Sequence, residues 1–216
     1  MQIDIFSDPI CPWCFIGKRR LERALSQRTA VQPRIRWRAF QLNPAMPEQG
    51  MERQAYLSAK FGSASDAERL YGHIAQVGAV EGIPFAFDRI EITPNTVNAH
   101  RLIRLAGRAG KQDDVVQALF DAYFLLGRDI GDRTTLISIA VEAGLDAVEV
   151  DTLLAGPDEV DVVRNEDMRA RQLGIEGVPC FIVNKRYALS GAQEPEAFFS
   201  IFDMVTEESR HALQSG

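Results

Sequence analysis

A Cys-x-x-Cys motif at the junction of a strand pattern and a helix pattern constrains this chain more than any other feature. The motif is Cys11-Pro12-Trp13-Cys14. It follows a short apolar stretch at positions 3–6, which predicts a strand, and it opens a segment whose apolar residues recur at helical spacing. Pro12 suits the first turn of a helix, where its missing N–H costs nothing. The sequence therefore predicts that the motif begins a helix.

The two cysteines are expected to differ in reactivity because they occupy different positions of that helix. The first turn carries unpaired N–H groups and the positive end of the helix dipole, which favour a thiolate. We expect Cys11 to be an exposed nucleophile whose sulfur points at solvent, and Cys14 to be the buried resolving cysteine. A pair of inert core cysteines and half of a zinc site are the alternatives. The zinc alternative lacks ligands, because the third cysteine and the three histidines stand at no ligand spacing.

Composition excludes several classes of protein. At 216 residues, with 46% hydrophobic residues, the chain is long enough to bury a substantial core. Its formal net charge of −6 argues against general binding to nucleic acid or to anionic membrane surfaces. No stretch is as long and apolar as a membrane helix requires, and the N-terminus lacks a signal-peptide pattern. We therefore expect a cytoplasmic protein that binds neither nucleic acid nor membranes, and no pattern indicates its oligomeric state.

The order of the strand and helix patterns predicts an α/β fold interrupted by helices. Alternating polar and apolar residues at 34–40 predict a second strand, which completes a βαβ unit around the motif. A proline-stiffened loop at 41–47 follows. The helices predicted next span 51–61, 65–80, 96–109, 113–126, 134–143 and 147–154, with a short extended piece at 85–87. The last quarter predicts a helix at 158–173, a hairpin with strands at 181–183 and 187–189, and a helix at 195–213.

These patterns divide the chain into a discontinuous domain and an insertion. Residues 1–44 and 157–216 form the α/β domain, and residues 45–156 form an all-helical insertion with its own small core. Asn95, directly before the helix that is predicted to start at Thr96, is interpreted as a helix cap, with a role at the site as the alternative. His100 on the same helix is interpreted as a partly exposed histidine, again with a role at the site as the alternative.

The segment Gly177-Val178-Pro179-Cys180 lies where the late helix gives way to the hairpin. A proline that merely opens a strand is one interpretation. The other is a cis Val178–Pro179 bond beside Cys11, which would leave the backbone of Val178 free to pair with an extended substrate. We favour the cis bond.

Four segments of the sequence carry a family resemblance. They are residues 7–18 around the motif, Phe40-Gln41-Leu42-Asn43-Pro44 with Met46-Pro47, Asn95-Thr96 with residues 99–102, and residues 174–179. In these segments the chain resembles the DsbA-like branch of the thioredoxin superfamily, and within it the FrnE-type oxidoreductases. The resemblance implies an α/β thioredoxin fold with a large all-helical insertion, Cys11 as nucleophile, Cys14 as resolving cysteine and Pro179 as cis-proline. The residues expected to border the substrate are Pro12, Trp13, Val178 and Pro179, and the candidate supporting residues are Asp8, Asn43, Asn95, His100 and Cys180.

Two positions depart from the pattern of that family. Its members commonly carry a buried carboxylate six residues before the first cysteine, which handles the proton of the resolving thiol, whereas Ile5 stands there in this chain. Water or another group, with Asp8 as the candidate, must take that role. Cys180 follows the proline where Thr or Phe is more usual. A small buried hydrophobe is the favoured interpretation of Cys180, and a third redox-active sulfur is the alternative.

The leading functional prediction is a thiol–disulfide oxidoreductase that works through a mixed disulfide. Its only redox group would be the Cys11–Cys14 pair, without metal or other cofactor, and its partners would be disulfide or dithiol proteins, or glutathione and small thiols. The second hypothesis is a glutathione-dependent isomerase or transferase, because 2-hydroxychromene-2-carboxylate isomerases and kappa-class glutathione transferases are similar. Those relatives usually have Ser at the first motif position, so two intact cysteines favour the redox prediction. The third hypothesis is a peptide-binding chaperone module.

Overall fold

A computed structural model, which describes residues 1–62 and 64–214, contains a four-stranded sheet built from both ends of the chain. The strands are β1 Gln2–Ser7, β2 Arg34–Ala39, β3 Met51–Glu52, β4 Ile92–Thr93, β5 Cys180–Val183 and β6 Tyr187–Ser190. The order in the main sheet is β2-β1-β5-β6. Strand β1 is central, parallel to β2 and antiparallel to β5, so that Ile5 lies opposite both Trp37 and Phe181. The predicted α/β architecture is confirmed.

Helices α2 to α8 occupy most of the chain between the second and fifth strands, whereas α1 joins β1 to β2 and α9 follows β6. The helices are α1 Pro12–Gln27, α2 Arg53–Phe61, α3 Ala64–Val80, α4 Val97–Arg108, α5 Gln112–Phe120, α6 Arg133–Glu142, α7 Ala147–Ala155, α8 Val160–Gln172 and α9 Pro195–Gln214. The single helix predicted at 113–126 is α5 followed by a π-helical turn, Asp121–Leu125. Within the described residues no helix has the combination of length and apolar character that crossing a membrane demands.

The two faces of the main sheet pack against different helices. Because side chains alternate along a strand, Ile3 and Ile5 point to one face and Phe6 to the other. The first face belongs to the large apolar core, which includes α1 and α9, and there Phe181 makes an edge-to-face contact with Phe198 at 5.0 Å between ring centroids. On the opposite face, Phe6 belongs to a small separate cluster against α8. The motif helix therefore shares its face of the sheet with the C-terminal helix.

The helical insertion does not have a core of its own, which corrects the sequence prediction. Phe15 of α1 stacks on Phe120 of α5, with ring centroids 5.0 Å apart and planes 8° apart. Phe15 also meets Phe85 edge to face at 6.0 Å. One apolar cluster consequently runs from the sheet through α1 into the insertion. The reason is that α1 lies between the sheet and the inserted helices and buries apolar side chains toward both.

The insertion is also not entirely helical. Strands β3 and β4 pair antiparallel, with Met51 opposite Thr93 and Glu52 opposite Ile92. Two-residue strands carry too little alternation to be read from the sequence. Phe87, expected in an extended piece, instead begins a short 3-10 turn, Phe87–Arg89. The division of the chain at 44/45 and 156/157 stays a prediction.

Candidate active site

The motif lies at the first turn of α1, as the sequence predicts. Cys11 is the N-cap residue, with extended backbone angles and no side-chain cap of its own, and Pro12 is the first helical residue. The Cys11 N–H donates to the Asp8 carbonyl at 2.9 Å, and the Cys11 carbonyl accepts from Cys14 N–H at 3.0 Å. A side chain at the N-cap is aimed at the open N–H groups of the first turn. This placement puts the Cys11 sulfur next to the positive end of the helix dipole.

Cys11 is buried, contrary to the expectation that its sulfur points at solvent. Only 3% of the residue is exposed. Its Sγ lies 3.5 Å from the carbonyl oxygen of Val178, to which the thiol donates. The Val178–Pro179 peptide bond is cis. The turn before β5 therefore covers the sulfur, and the carbonyl of Val178 faces Cys11 rather than open solvent.

Gly17 allows α1 to approach this turn closely. A Cβ atom at position 17 would lie 2.8 Å from Cγ of Pro179 and 3.2 Å from Cζ of Phe181. Carbon atoms in contact are ordinarily about 3.5–4.0 Å apart. Only glycine permits this distance between the helix and the proline ring. The identity of residue 17 thus fixes how near Val178 and Pro179 sit to Cys11.

Cys14 lies deeper than Cys11 and retains its proton at neutral pH. It is 1% exposed, and all three cysteines are free thiols. Burial, together with the neighbouring Cys11 sulfur, raises the pKa of Cys14 well above its ordinary value, although the Ser7 hydroxyl and the Asp8 backbone amide partly oppose the rise. Cys14 therefore stays protonated at neutral pH and must lose a proton before it can attack.

Asp8 and His100 form a buried pair behind the motif. The Asp8 carboxylate accepts from Leu42 N–H at 2.7 Å, and Nε2 of His100 lies 3.9 Å from it. Burial raises the pKa of Asp8 to about 7, with Leu42 N–H as the strongest opposing contact. Burial likewise lowers the pKa of His100 to about 4, opposed by its bond to the Phe40 carbonyl. Between these values both groups are uncharged, so their proximity does not make an ion pair.

His100 is more deeply placed than the sequence interpretation allowed. It is 2% exposed, and its Nε2 lies 3.2 Å from the Phe40 carbonyl, an acceptor that requires the proton on Nε2. A cavity of ≈ 10 Å³, close to the size of one water molecule, borders both His100 and Ser7. Ser7 also contacts Cys14, so this residue lies between the resolving thiol and the cavity beside His100.

The two candidate asparagines serve other contacts. Helix α4 starts at Val97, one residue later than predicted, so its N-cap residue is Thr96 and not Asn95. The Asn95 side chain accepts from Val97 N–H at 3.0 Å and donates to the Met46 carbonyl at 2.7 Å. Asn43 hydrogen-bonds with the Tyr56 hydroxyl at 3.1 Å, and Lys60 donates to the same hydroxyl at 2.6 Å. Both asparagines tie the loop after β2 and the start of α4 to neighbouring elements.

Trp13 faces a residue that the sequence analysis missed. Its ring centroid is 6.3 Å from that of His73, and the planes are tilted by 53°. Trp13 is half-buried and His73 is exposed. His73 comes from α3, and nothing in its local sequence relates it to the motif. Only the packing of α3 against α1 brings it to the edge of the candidate site.

Cys180 lies on the other side of the main sheet from the motif. It is opposite Phe6 in the register and belongs to the small cluster against α8. Burial raises the pKa of its thiol, and the Ser190 hydroxyl is its polar neighbour at 4.0 Å. The environment is that of a small buried hydrophobe. Within the ranges 1–62 and 64–214, no group of three or more His, Cys, Asp or Glu side chains is arranged to hold a metal ion.

Comparisons with known proteins agree with this architecture. The family model described as "DSBA-like thioredoxin domain" matches residues 2–203. Protein YwbO of Bacillus subtilis (strain 168) is 25% identical over 202 residues, which cover 92% of this chain and 94% of YwbO. A crystal structure described as a probable DsbA oxidoreductase from Streptomyces coelicolor is 33% identical. It matches with a TM-score of 0.87 over 96% of this chain and 91% of that chain.

Two more distant structures share the fold. A 2-hydroxychromene-2-carboxylate isomerase has a TM-score of 0.70 and 16% identity over 100% of both chains. The cytosolic disulfide reductase DsbM from Pseudomonas aeruginosa with GSH has a TM-score of 0.66 and 18% identity, over 96% of this chain and 100% of that chain. These likenesses confirm the predicted fold class, a thioredoxin fold with a helical insertion.

Proposed function

This chain belongs to the DsbA-like thioredoxin-domain family, and on that premise we propose that it is a thiol–disulfide oxidoreductase acting through Cys11 and Cys14. The observation that carries the proposal is the asymmetry of the two thiols. Both thiols are buried, but Cys11 occupies the start of α1 beside the Val178 carbonyl, whereas Cys14 lies behind it with a raised pKa. Cys11 is thus assigned the attack on the substrate disulfide, and Cys14 the later attack that resolves the mixed disulfide.

In the reducing direction the reaction has two displacements. The Cys11 thiolate attacks one sulfur of a substrate disulfide, forms a mixed disulfide, and releases the other substrate sulfur as a thiolate that takes up a proton. Cys14 then loses its proton and attacks the Cys11 sulfur, which frees the second substrate thiol. The substrate gains two electrons and two protons, and the protein is left with a Cys11–Cys14 disulfide. The reverse sequence oxidises a substrate dithiol.

We propose that the proton lost by Cys14 passes to the buried pair of Asp8 and His100. The Asp8 carboxyl, with a pKa of about 7, exchanges protons readily near neutral pH, unlike an ordinary exposed aspartate. Ser7 contacts Cys14 and borders the same small cavity as His100, which gives the proton a route. Asp8 and His100 are then positioning residues for the resolving step. Asp8 takes the role that the family usually gives to a carboxylate at the position of Ile5.

The partners follow from the same chemistry. Two sulfurs carry both electrons, so the proposed reaction needs no metal and no bound organic cofactor. A disulfide protein is the proposed substrate, and glutathione or another small thiol is the proposed electron donor. The covering turn at Val178 and Pro179, the motif residue Pro12 and the half-buried Trp13 would border the bound chain. A cytoplasmic location stays a prediction of the sequence.

Trapping of the mixed disulfide tests the assignment of roles. Cys14→Ser should accumulate a covalent adduct with a disulfide protein such as insulin, because the resolving sulfur is gone, whereas Cys11→Ser should form none. Cys180→Ser, the matched control, should behave like the native protein. Adducts are counted by intact-mass spectrometry under non-reducing conditions. Adducts that persist in Cys11→Ser and map to Cys14 or Cys180 would show that the proposed nucleophile is wrong.

The two other hypotheses predict different dependences on the cysteines. A glutathione-dependent isomerase or transferase needs one activated group for glutathione, so Cys14→Ser would keep its activity. A chaperone module would bind unfolded peptide with both motif cysteines replaced by serine. Disulfide reduction that requires both Cys11 and Cys14 is expected only of the oxidoreductase.

A further inference from the structure

A groove on the far side of β2 brings five arginines together in a protein with a formal net charge of −6. It has a volume of ≈ 500 Å³ and is lined by five arginines, Arg34, Arg36 and Arg38 of β2 with Arg104 and Arg108 of α4. We call it the arginine groove. The three strand arginines stand at alternate positions, so they share one face of β2, about 6.6 Å apart. The two helix arginines are one turn apart and form a second row.

The arginine groove has more positive charge than the chain itself neutralises. Asp4 and Glu166 pair with Arg38 at 2.8 and 3.0 Å, and Glu159 pairs with both helix arginines. Asp113, which also lines the groove, is paired with Lys18 at 3.0 Å. Across residues 1–62 and 64–214, Arg34 and Arg36 have no ion pair and no side-chain hydrogen bond. Three carboxylates thus pair with three of the five guanidinium groups, and Asp113 is a fourth acidic group in the lining. In the described part of the chain, Arg34 and Arg36 are the two arginines of the groove without a carboxylate partner.

Hydrogen-bonded side chains cover the outer edge of β2 in and beside the arginine groove. The Gln112 side chain accepts from Trp37 N–H at 2.9 Å and donates to the Trp37 carbonyl at 3.3 Å. Glu166 accepts from Ala39 N–H at 2.9 Å. These side chains occupy the outer edge of β2, which would otherwise be open to another strand. The groove is therefore closed to an extended peptide at these residues, and recognition is left to the guanidinium groups.

We propose that the arginine groove binds a small ligand that carries a diphosphate group. Guanidinium groups bind phosphate oxygens in a bidentate manner, and two rows of them can hold two adjacent phosphates. A diphosphate would supply the negatively charged partner that Arg34 and Arg36 lack. The volume lies within the range of about 300–1,000 Å³ that is usual for small-molecule sites. This site is separate from the cysteines and goes beyond the redox function proposed above.

Calorimetric titration of the full reduced chain with inorganic pyrophosphate, at constant ionic strength, tests the proposal. We expect one saturable site per chain. Arg34→Gln and Arg36→Gln should each weaken binding about tenfold or more, because each removes one unmatched charge. Arg69→Gln is the matched control, since Arg69 is an exposed arginine of α3 outside the groove. This variant should bind pyrophosphate with the affinity of the native protein.

Two outcomes would overturn the proposal. A binding heat that does not saturate with pyrophosphate, or that falls equally in Arg36→Gln and Arg69→Gln, would show only non-specific attraction of the anion to positive charge. Equal affinity for citrate and pyrophosphate would overturn the assignment to phosphate. Arg34 is exposed and Arg36 half-buried, so both variants should fold, and far-UV circular dichroism checks this. Insulin reduction measured on the same variants should be unchanged, which separates a failure of this proposal from a failure of the redox function.

Discussion

Gly17→Ala is the substitution that most directly probes the contact between α1 and the cis-proline turn. The new Cβ would lie 2.8 Å from Cγ of Pro179, about 0.6 Å short of the 3.4 Å at which ordinary van der Waals contact begins. The proline ring is rigid, and Phe181 behind it is fully buried, so neither neighbour can turn aside. Either α1 or the turn must move by a similar distance.

Two opposing effects determine the size of the change in stability. Overpacking of a well-packed core costs about 1–3 kcal/mol. Alanine in place of glycine inside a helix returns about 0.5–1 kcal/mol. We therefore expect a net loss of about 1–2 kcal/mol in the free energy of unfolding. For a chain of this size that loss lowers Tm by about 2–8 °C. Because the turn also positions Val178 against Cys11, disulfide reduction should slow by about tenfold.

Gly72→Ala is the matched control. Gly72 lies within α3, and a Cβ there would meet nothing within 4 Å. Only the helix-propensity gain remains, so Tm should rise by about 1–4 °C with disulfide reduction unchanged. Urea unfolding of the two variants beside the native protein measures the difference. If Gly17→Ala were as stable as Gly72→Ala, the close approach of α1 to Pro179 would be refuted.

Further predictions concern the buried groups around the motif. Cys180→Ala should leave the rate of insulin reduction within about a factor of 3, under ~1 kcal/mol of barrier, because its sulfur lies across the sheet from Cys11; a larger loss would make Cys180 part of the site. The stability that Asp8 contributes is fully present below its unfolded pKa of 3.8 and is lost as pH rises through its folded pKa of about 7. The stability that His100 contributes is present above its unfolded pKa of 6.5 and is lost as pH falls through its folded pKa of about 4. In urea titrations the free energy of unfolding of Asp8→Asn, which retains His100, should therefore rise from pH 4 to 6.5. That of His100→Asn, which retains Asp8, should fall from pH 4 to 7. Each change should reach up to about 1.4 kcal/mol per pH unit. Parallel pH profiles for the two variants would contradict both assignments.

The sequence alone determined the local features of the candidate site. The strand, the motif and the helix of α1 follow from residue spacing over fewer than thirty positions, and Pro12 at the helix start is a local preference. The contact of Asn95 with the start of α4 is likewise local, because its side chain reaches the backbone amide of Val97 two residues away. The proline segment at 178–179 could be singled out for the same reason, through its place before a strand.

Only the tertiary structure decided what surrounds these features. The burial of Cys11 under Val178, the contact of Trp13 with His73, and the position of Asp8 beside His100 all join residues far apart in the chain. Spacing along the sequence carries no information about such distances. The shared core was hidden for the same reason, since a helix pattern indicates that a face is buried but not which element buries it. Asp8 owes its raised pKa to complete burial, and burial is a property of the folded chain alone.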